Sequence, residues 1–202
     1  MSAAVPQPQD SKRDRLRSAT RDAHRRLDGH RLMAWLLAGD TGIDRYKRLL
    51  QEYAVLCARL DEAFSRGAHF LPMEFEPHKR RKLPWLEQDL AFFNIVAGTG
   101  ETPPEFVVDS PAAMIGLVYP VEGATLGGRV IGGKLKLGLG VDEASGGRFF
   151  AGYGGATGMF WQSACASFEK LLRDDSDVAV AINRALEVFA CFERALDTAA
   201  QD

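Results

Sequence analysis

From residue 11 onward, apolar side chains recur at intervals of three and four rather than two, which is the period of a helix face and not of a strand. Leu16, Thr20, Ala23 and Leu27 lay one mostly apolar stripe along a helix predicted over 11–28 and closed by Gly29. Met33, Trp35, Leu36 and Leu37 form a short apolar run closed by Gly39 and Asp40. Ile43, Tyr46, Leu49, Leu50, Tyr53, Leu56, Cys57, Leu60 and Phe64 then repeat over a long helix that stops at Gly67. The segment starting at His69 is broken by prolines before a helix resumes over 84–95. Residues 98–108, with Pro103-Pro104, read as a loop. Helical spacing returns at about Pro111, continues through a glycine-rich stretch, lapses over 138–147 and resumes over 149–172. A last helix over 178–198 brings Val178, Ile182, Leu186, Phe189 and Leu196 near one face. No strand of useful length alternates, and no segment repeats. The expected architecture is all-α: one domain over 11–202, preceded by a disordered tail over 1–10.

A chain of 202 residues suits a single core, since domains usually hold about 100 to 200 residues. Charge refines this picture. The net formal charge is −2, yet residues 1 to 31 alone carry +4, so a basic N-terminal helix stands on a mildly acidic body. A polyanion bound along the whole surface is excluded, and without an aromatic platform a nucleic-acid role ranks last. The basic helix suggests a local contact with an anion, although a solvated helix face is the favoured reading on charge alone. Cys57, Cys165 and Cys191 are far apart, odd in number and form no CxxC pair, which suggests reduced thiols in a cytoplasmic protein. No stretch is long and apolar enough to span a membrane, and the first ten residues lack the features of a signal peptide.

Glycine changes the picture most. Fourteen of the 20 glycines fall between Gly116 and Gly158, where helix is otherwise expected and each interior glycine costs about 1 kcal/mol relative to alanine. Gly123 and Gly127 are four apart and share a face, so the backbone there is open to a flat object. Gly128 and Gly132 repeat the spacing on a neighbouring face, which suits close approach of a second helix. A phosphate loop would need a lysine-hydroxyl pair after a strand, and a dinucleotide fingerprint would also need the strand. Neither is present. Helix packing and ligand approach both remain open on glycine spacing alone.

Among the four histidines, His69 and His78 lie in the proline-rich segment and His30 at a helix boundary, positions that suit surface or capping roles. His24 lies four residues after Thr20 and three before Leu27, and is expected to turn toward the core at the edge of the apolar stripe. Arg21 is one turn before it, Arg17 two turns before, and Asp28 one turn after. Such a set combines a possible metal ligand, a carboxylate to orient it and cations for an anionic ligand edge. A histidine satisfied within the core is the plain alternative.

Three blocks, LRSATRDAHRRLD, YPVEGATLGGRVIGG and FFAGYGGATGMFWQSACASFE, together resemble bacterial haem oxygenases, in particular those found alongside bacteriophytochromes. The blocks span Leu16 to Glu169, with residues of about 40 to 110 matching as helical pattern only. The resemblance implies an all-α fold that sandwiches haem between a proximal helix and a kinked, glycine-rich distal helix. It assigns His24 as the iron ligand, Asp28 as its acidic partner, and Gly123 and Gly127 as the distal glycines against the haem face, with Gly128 counted beside them. Arg17, Arg21, Tyr119 and Lys134 become candidates for holding the propionates.

The resemblance further implies oxidative cleavage of haem, at once substrate and cofactor, to biliverdin, carbon monoxide and ferrous iron. The reaction would use O2 and electrons from a ferredoxin, a flavin reductase or a similar donor, and a bacteriophytochrome is one possible acceptor of the biliverdin. Ala124 departs from the animal enzymes, which carry an aspartate after the first distal glycine, so water held by backbone groups would have to deliver protons. A protein of this fold that stores, transfers or senses haem without cleaving it is the alternative. A di-iron enzyme would want Glu-x-x-His pairs, and the sequence has none.

Overall fold

A computed structural model describes residues 11–40, 42–99 and 102–201, which form nine α-helices and no strand among them. The tail expected over 1–10 lies outside the described residues. The first predicted helix is two: α1 (Lys12–Ala19) and α2 (Arg21–Asp28). Between them Thr20 turns to φ −96°, ψ 2°, and its hydroxyl donates to the Leu16 carbonyl at 2.8 Å. A side-chain hydroxyl bonding back to the preceding turn competes with regular helix geometry, which periodicity alone does not reveal. Leu16, Thr20 and Ala23 are buried, as their stripe predicts.

Helix α3 (Arg31–Ala38) starts at His30, whose Nδ1 accepts from the Leu32 N–H at 3.2 Å, and ends at Gly39 in the left-handed region at φ 80°. The long helix α4 (Ile43–Gly67) buries Tyr46, Leu49, Leu50, Tyr53, Leu56, Cys57, Leu60 and Phe64 on one face. After three short 3-10 turns, α5 (Leu83–Phe92) begins where the Asp61 carboxylate accepts from the Lys82 and Leu83 N–H groups at 2.8 to 3.0 Å. The glycine-rich stretch lies in α6 (Pro111–Leu139), a single 29-residue helix that contains Pro120. The next predicted helix is again divided, into α7 (Arg148–Ala151) and α8 (Thr157–Leu171). Gly152 and Gly154 between them stand at φ +59° and +58°, a region helices cannot use.

Helix α9 (Asp175–Ala199) is the central post of the fold and packs against α1, α2, α4 and α6. Val178, Phe189 and Leu196 of the expected face are buried, and the core face is widened by small residues between them. Ala181, Ala185, Val188, Phe192, Ala195 and Ala199 are buried with them, whereas Ile182 is half-buried and Leu186 exposed. Small residues make the α6 crossing close: a Cβ on Gly116 would sit 2.4 Å from the Ala181 carbonyl oxygen, so the glycine is required there. Cys57 and Cys191 are buried, Cys165 is partly exposed, and no disulfide joins them. No described helix is long and apolar enough to cross a membrane.

Candidate functional site

The glycines of α6 sort by what stands against them. Gly128 and Gly132 face α7: a Cβ would lie 3.5 Å from the Phe150 ring on Gly128 and 3.3 Å from the Phe150 carbonyl oxygen on Gly132. Gly138 meets Gly39 at the end of α3, with 2.9 Å to its carbonyl oxygen. These three have packing reasons within the chain. Gly123, Gly127 and Gly133 do not. A Cβ on Gly127 or Gly133 would meet nothing within 4 Å, and one on Gly123 only the rim of Trp161 at 3.9 Å. The spacing of Gly128 and Gly132 therefore serves a second helix, and Gly128 does not share the open face of Gly123 and Gly127.

Helical geometry places Tyr119, Gly123, Leu126, Gly127, Val130, Lys134 and Leu137 on one side of α6. Large apolar residues stand exposed along it, Val130 at 61% and Leu137 at 86%. Exposed aliphatic side chains interleaved with bare helix backbone make a flat apolar wall, a pattern that marks a ligand groove when it is contiguous.

On α2, His24 is not turned inward as its spacing predicts. Its side chain is 61% exposed, and α9 reaches it with the edge of Phe189, at 6.1 Å between ring centres. The imidazole is nevertheless partnered: its Nδ1 lies 2.8 Å from Asp28 Oδ2. With the carboxylate on the Nδ1 side, Nε2 is the ring nitrogen left to face a metal, an arrangement shared with metal-bound histidines whose rings a carboxylate orients. Phe189 also lies 6.5 Å from the Tyr119 ring, so the faces of α2 and α6 converge on one residue of α9.

Tyr119 is buried in an aromatic group with Trp161, Phe168 and Phe189. Its hydroxyl lies 3.5 Å from the Thr20 hydroxyl. Burial raises its phenol above the ordinary value, against the opposing effects of Thr20 and the Arg17 charge. The basic helices divide in a telling way. Arg13 pairs with Asp14, Arg15 with Asp175, Arg25 with Asp22 and Arg26 with Glu193. Arg17 and Arg21 are exposed and pair with no carboxylate among the described residues. Lys134, exposed on the glycine face of α6, is likewise without one among them.

Sequence reasoning missed two groups. Trp161, Phe168 and Phe189 close the end of the open face around Tyr119. A buried cluster of Arg80, Lys82, Glu122 and Tyr153 sits beneath it. Burial lowers the Lys82 ammonium, partly offset by Glu122. A signal existed for the second group, since Glu122 is the one acid between Pro111 and Val141. A groove of about 660 Å³ between α4 and α5, lined by residues such as Val55, Leu83 and Ile95, lies elsewhere and contains none of the nominated residues. No three His, Cys, Asp or Glu of the described residues converge as a metal cluster.

These residues fit haem on four counts: an imidazole with a free Nε2, an apolar wall of bare backbone, an aromatic end and unpaired cations for carboxylates. The "Heme oxygenase" family model matches residues 11–198, and the chain belongs to the haem oxygenase family. Solved structures agree in fold. The haem oxygenase of Neisseria meningitidis, determined in NO- and CO-bound forms, superposes with a TM-score of 0.79 at 19% identity, covering 95% of this chain and 94% of that one. The Leptospira interrogans enzyme gives 0.74 at 17%, covering 93% and 98%. A haem oxygenase of the cyanobacterium Synechocystis in complex with haem gives 0.70 at 15%, covering 93% and 91%. No curated protein sequence matches the chain.

Proposed function

We propose that the chain binds haem between α2 and α6 and cleaves it to biliverdin, carbon monoxide and ferrous iron, using O2 and electrons from a separate donor. The observation that carries this reading is the face of Gly123 and Gly127, whose missing side chains no close packing within the described chain explains. Membership of the family and a neighbour solved with haem support it. Haem bound here would supply the iron at which oxygen is activated, leaving the protein to bind, orient and exclude side reactions.

His24 Nε2 would ligate the iron, and Asp28 would hold the imidazole in the ligating tautomer. The backbone at Gly123 and Gly127 would form the distal wall, where small room above the ring restricts how a diatomic ligand lies. Arg17, Arg21 and Lys134 would attract the propionates and so set which edge of the ring enters first. Tyr119, Trp161 and Phe189 would keep water from the inner end. With Ala124 at the position following Gly123, no side-chain acid stands on this turn's open face, so backbone groups and water would pass protons to the distal side.

The test adds haem and then a reductant to purified protein under air. Loss of the Soret band with formation of biliverdin is expected in the wild type, and no biliverdin is expected from His24→Ala. Full turnover by His24→Ala would sink the ligand assignment. Tight binding by the wild type with a retained Soret band would favour the non-catalytic haem carrier or sensor.

A further inference from the structure

A carboxylate is buried directly beneath the glycine face. Glu122 precedes Gly123 by one residue and is 3% exposed, its side chain turned away from the open side of α6 into three donors. Arg80 Nη1 donates to its Oε2 at 2.8 Å, Lys82 Nζ to its Oε1 at 2.9 Å and the Tyr153 hydroxyl to Oε1 at 2.7 Å. Each donor is tied down again. Arg80 donates to the Phe75 and Phe160 carbonyls at 2.7 and 3.2 Å, and the Lys82 N–H donates to Asp61. The Tyr153 ring stacks on Phe160 at 3.9 Å and 8°. It reaches Glu122 because Gly152 and Gly154 take the positive φ angles that side-chain-bearing residues rarely adopt.

Beyond apolar packing of Pro120 and Val121, the turn carrying Glu122 has no other polar tie to its surroundings among the described residues. Pro120 leaves the Gly116 carbonyl without its helical N–H partner, and Gly123 and Gly127 have no side chains. Among residues 120–127, Glu122 alone makes a side-chain hydrogen bond to another element; Thr125 bonds to the Val121 carbonyl of its own helix. We propose that Glu122 is a positioning residue: by anchoring this turn to the segments around Arg80 and Tyr153, it fixes how closely the Gly123 backbone approaches haem, and hence the room left for a small ligand on that side of the iron. The inference rests on the haem-binding reading of α6.

To test it, ferric haem complexes of the wild type, Glu122→Gln and Tyr153→Phe are titrated with azide and followed by the Soret band, beside haem titrations and thermal unfolding of each protein. Glu122→Gln removes the charge and nearly keeps the shape. Tyr153→Phe changes no charge and keeps the stacked ring. The azide dissociation constant is expected to shift about 5-fold or more in Glu122→Gln, within the range found for altered contacts remote from a ligand, and to shift less but in the same direction in Tyr153→Phe. Lowered melting temperatures with unchanged azide constants would make Glu122 merely structural and overturn the proposal. If Glu122→Gln does not fold, Tyr153→Phe decides by the same criterion. A wild type that binds no haem would overturn the site itself, a result distinct from a haem-binding wild type whose variants bind azide as it does.

Discussion

Replacing Gly127 by alanine separates folding from ligand binding, because the two effects have opposite signs. In the haem-free protein nothing lies within 4 Å of the added Cβ, and residue 127 is inside a 29-residue helix. Alanine then gains its helix preference with no steric penalty, about 0.8 to 1 kcal/mol. For a chain of this size that raises the melting temperature by roughly 2 to 4 °C. A haem ring in van der Waals contact with the helix backbone would meet the same methyl group. Crowding a well-packed contact by one methyl typically costs about 1 to 3 kcal/mol, which weakens haem binding about 5- to 150-fold. Circular dichroism melts of the haem-free proteins and Soret titrations with haem measure the two quantities. Gly132→Ala is the control, since its Cβ would press on the Phe150 carbonyl oxygen at 3.3 Å and no gain in stability is expected. A stabilised Gly127→Ala that binds haem as the wild type does would refute the claim that a ligand covers this face. A destabilised one would refute the assignment of open space.

Two further outcomes follow from the charges of the basic helices and of the core. Arg17→Ala combined with Arg21→Ala should weaken haem binding about 2- to 10-fold at low salt, because exposed ion pairs contribute up to about 1 kcal/mol each; the dimethyl ester of haem should bind both proteins alike, and equal weakening of ester and acid would count against propionate contact. Asp61 is raised above its ordinary value by burial, against the Lys82 and Leu83 N–H groups and nearby cations that stabilise its charge. A raised carboxyl binds its proton in the folded state before the unfolded chain does, so its linkage favours folding increasingly as pH falls through the folded pKa toward 3.8. Asp61→Asn should cost about 1 to 3 kcal/mol at pH 7 through unsatisfied N–H groups of α5, and the deficit relative to wild type should grow between pH 7 and pH 4. Urea unfolding at both values checks it; a deficit that shrinks on acidification would reverse the sign assigned to Asp61.

Much of the fold was legible because helices announce themselves by period. The buried face of α4 is the one its spacing predicts, and Gly39 and Gly67 mark helix ends where they were expected. Two breaks were not legible: the turn at Thr20 depends on a hydroxyl bonding to its own chain, and the separation of α7 from α8 depends on two glycines taking positive φ. The glycine cluster could be counted from the sequence but not sorted. Gly128 and Gly132 are explained by Phe150, Gly116 by Ala181 and Gly138 by Gly39, all distant in sequence, which leaves Gly123 and Gly127 on the face proposed for a ligand.

By itself the sequence determined an all-α chain and the family, and it nominated His24, Asp28, Gly123 and Gly127 for the site, since periodicity, caps and motif blocks are local properties. Tertiary structure alone decided which way His24 faces, which arginines stay unpaired, and that Glu122, Arg80, Lys82 and Tyr153 meet beneath the glycine face. Those are facts about partners distant in the chain. A buried charge is tolerable only where oppositely charged groups are gathered around it, and no local pattern records the crossing of α6 over the segment at residues 75–82 that gathers them.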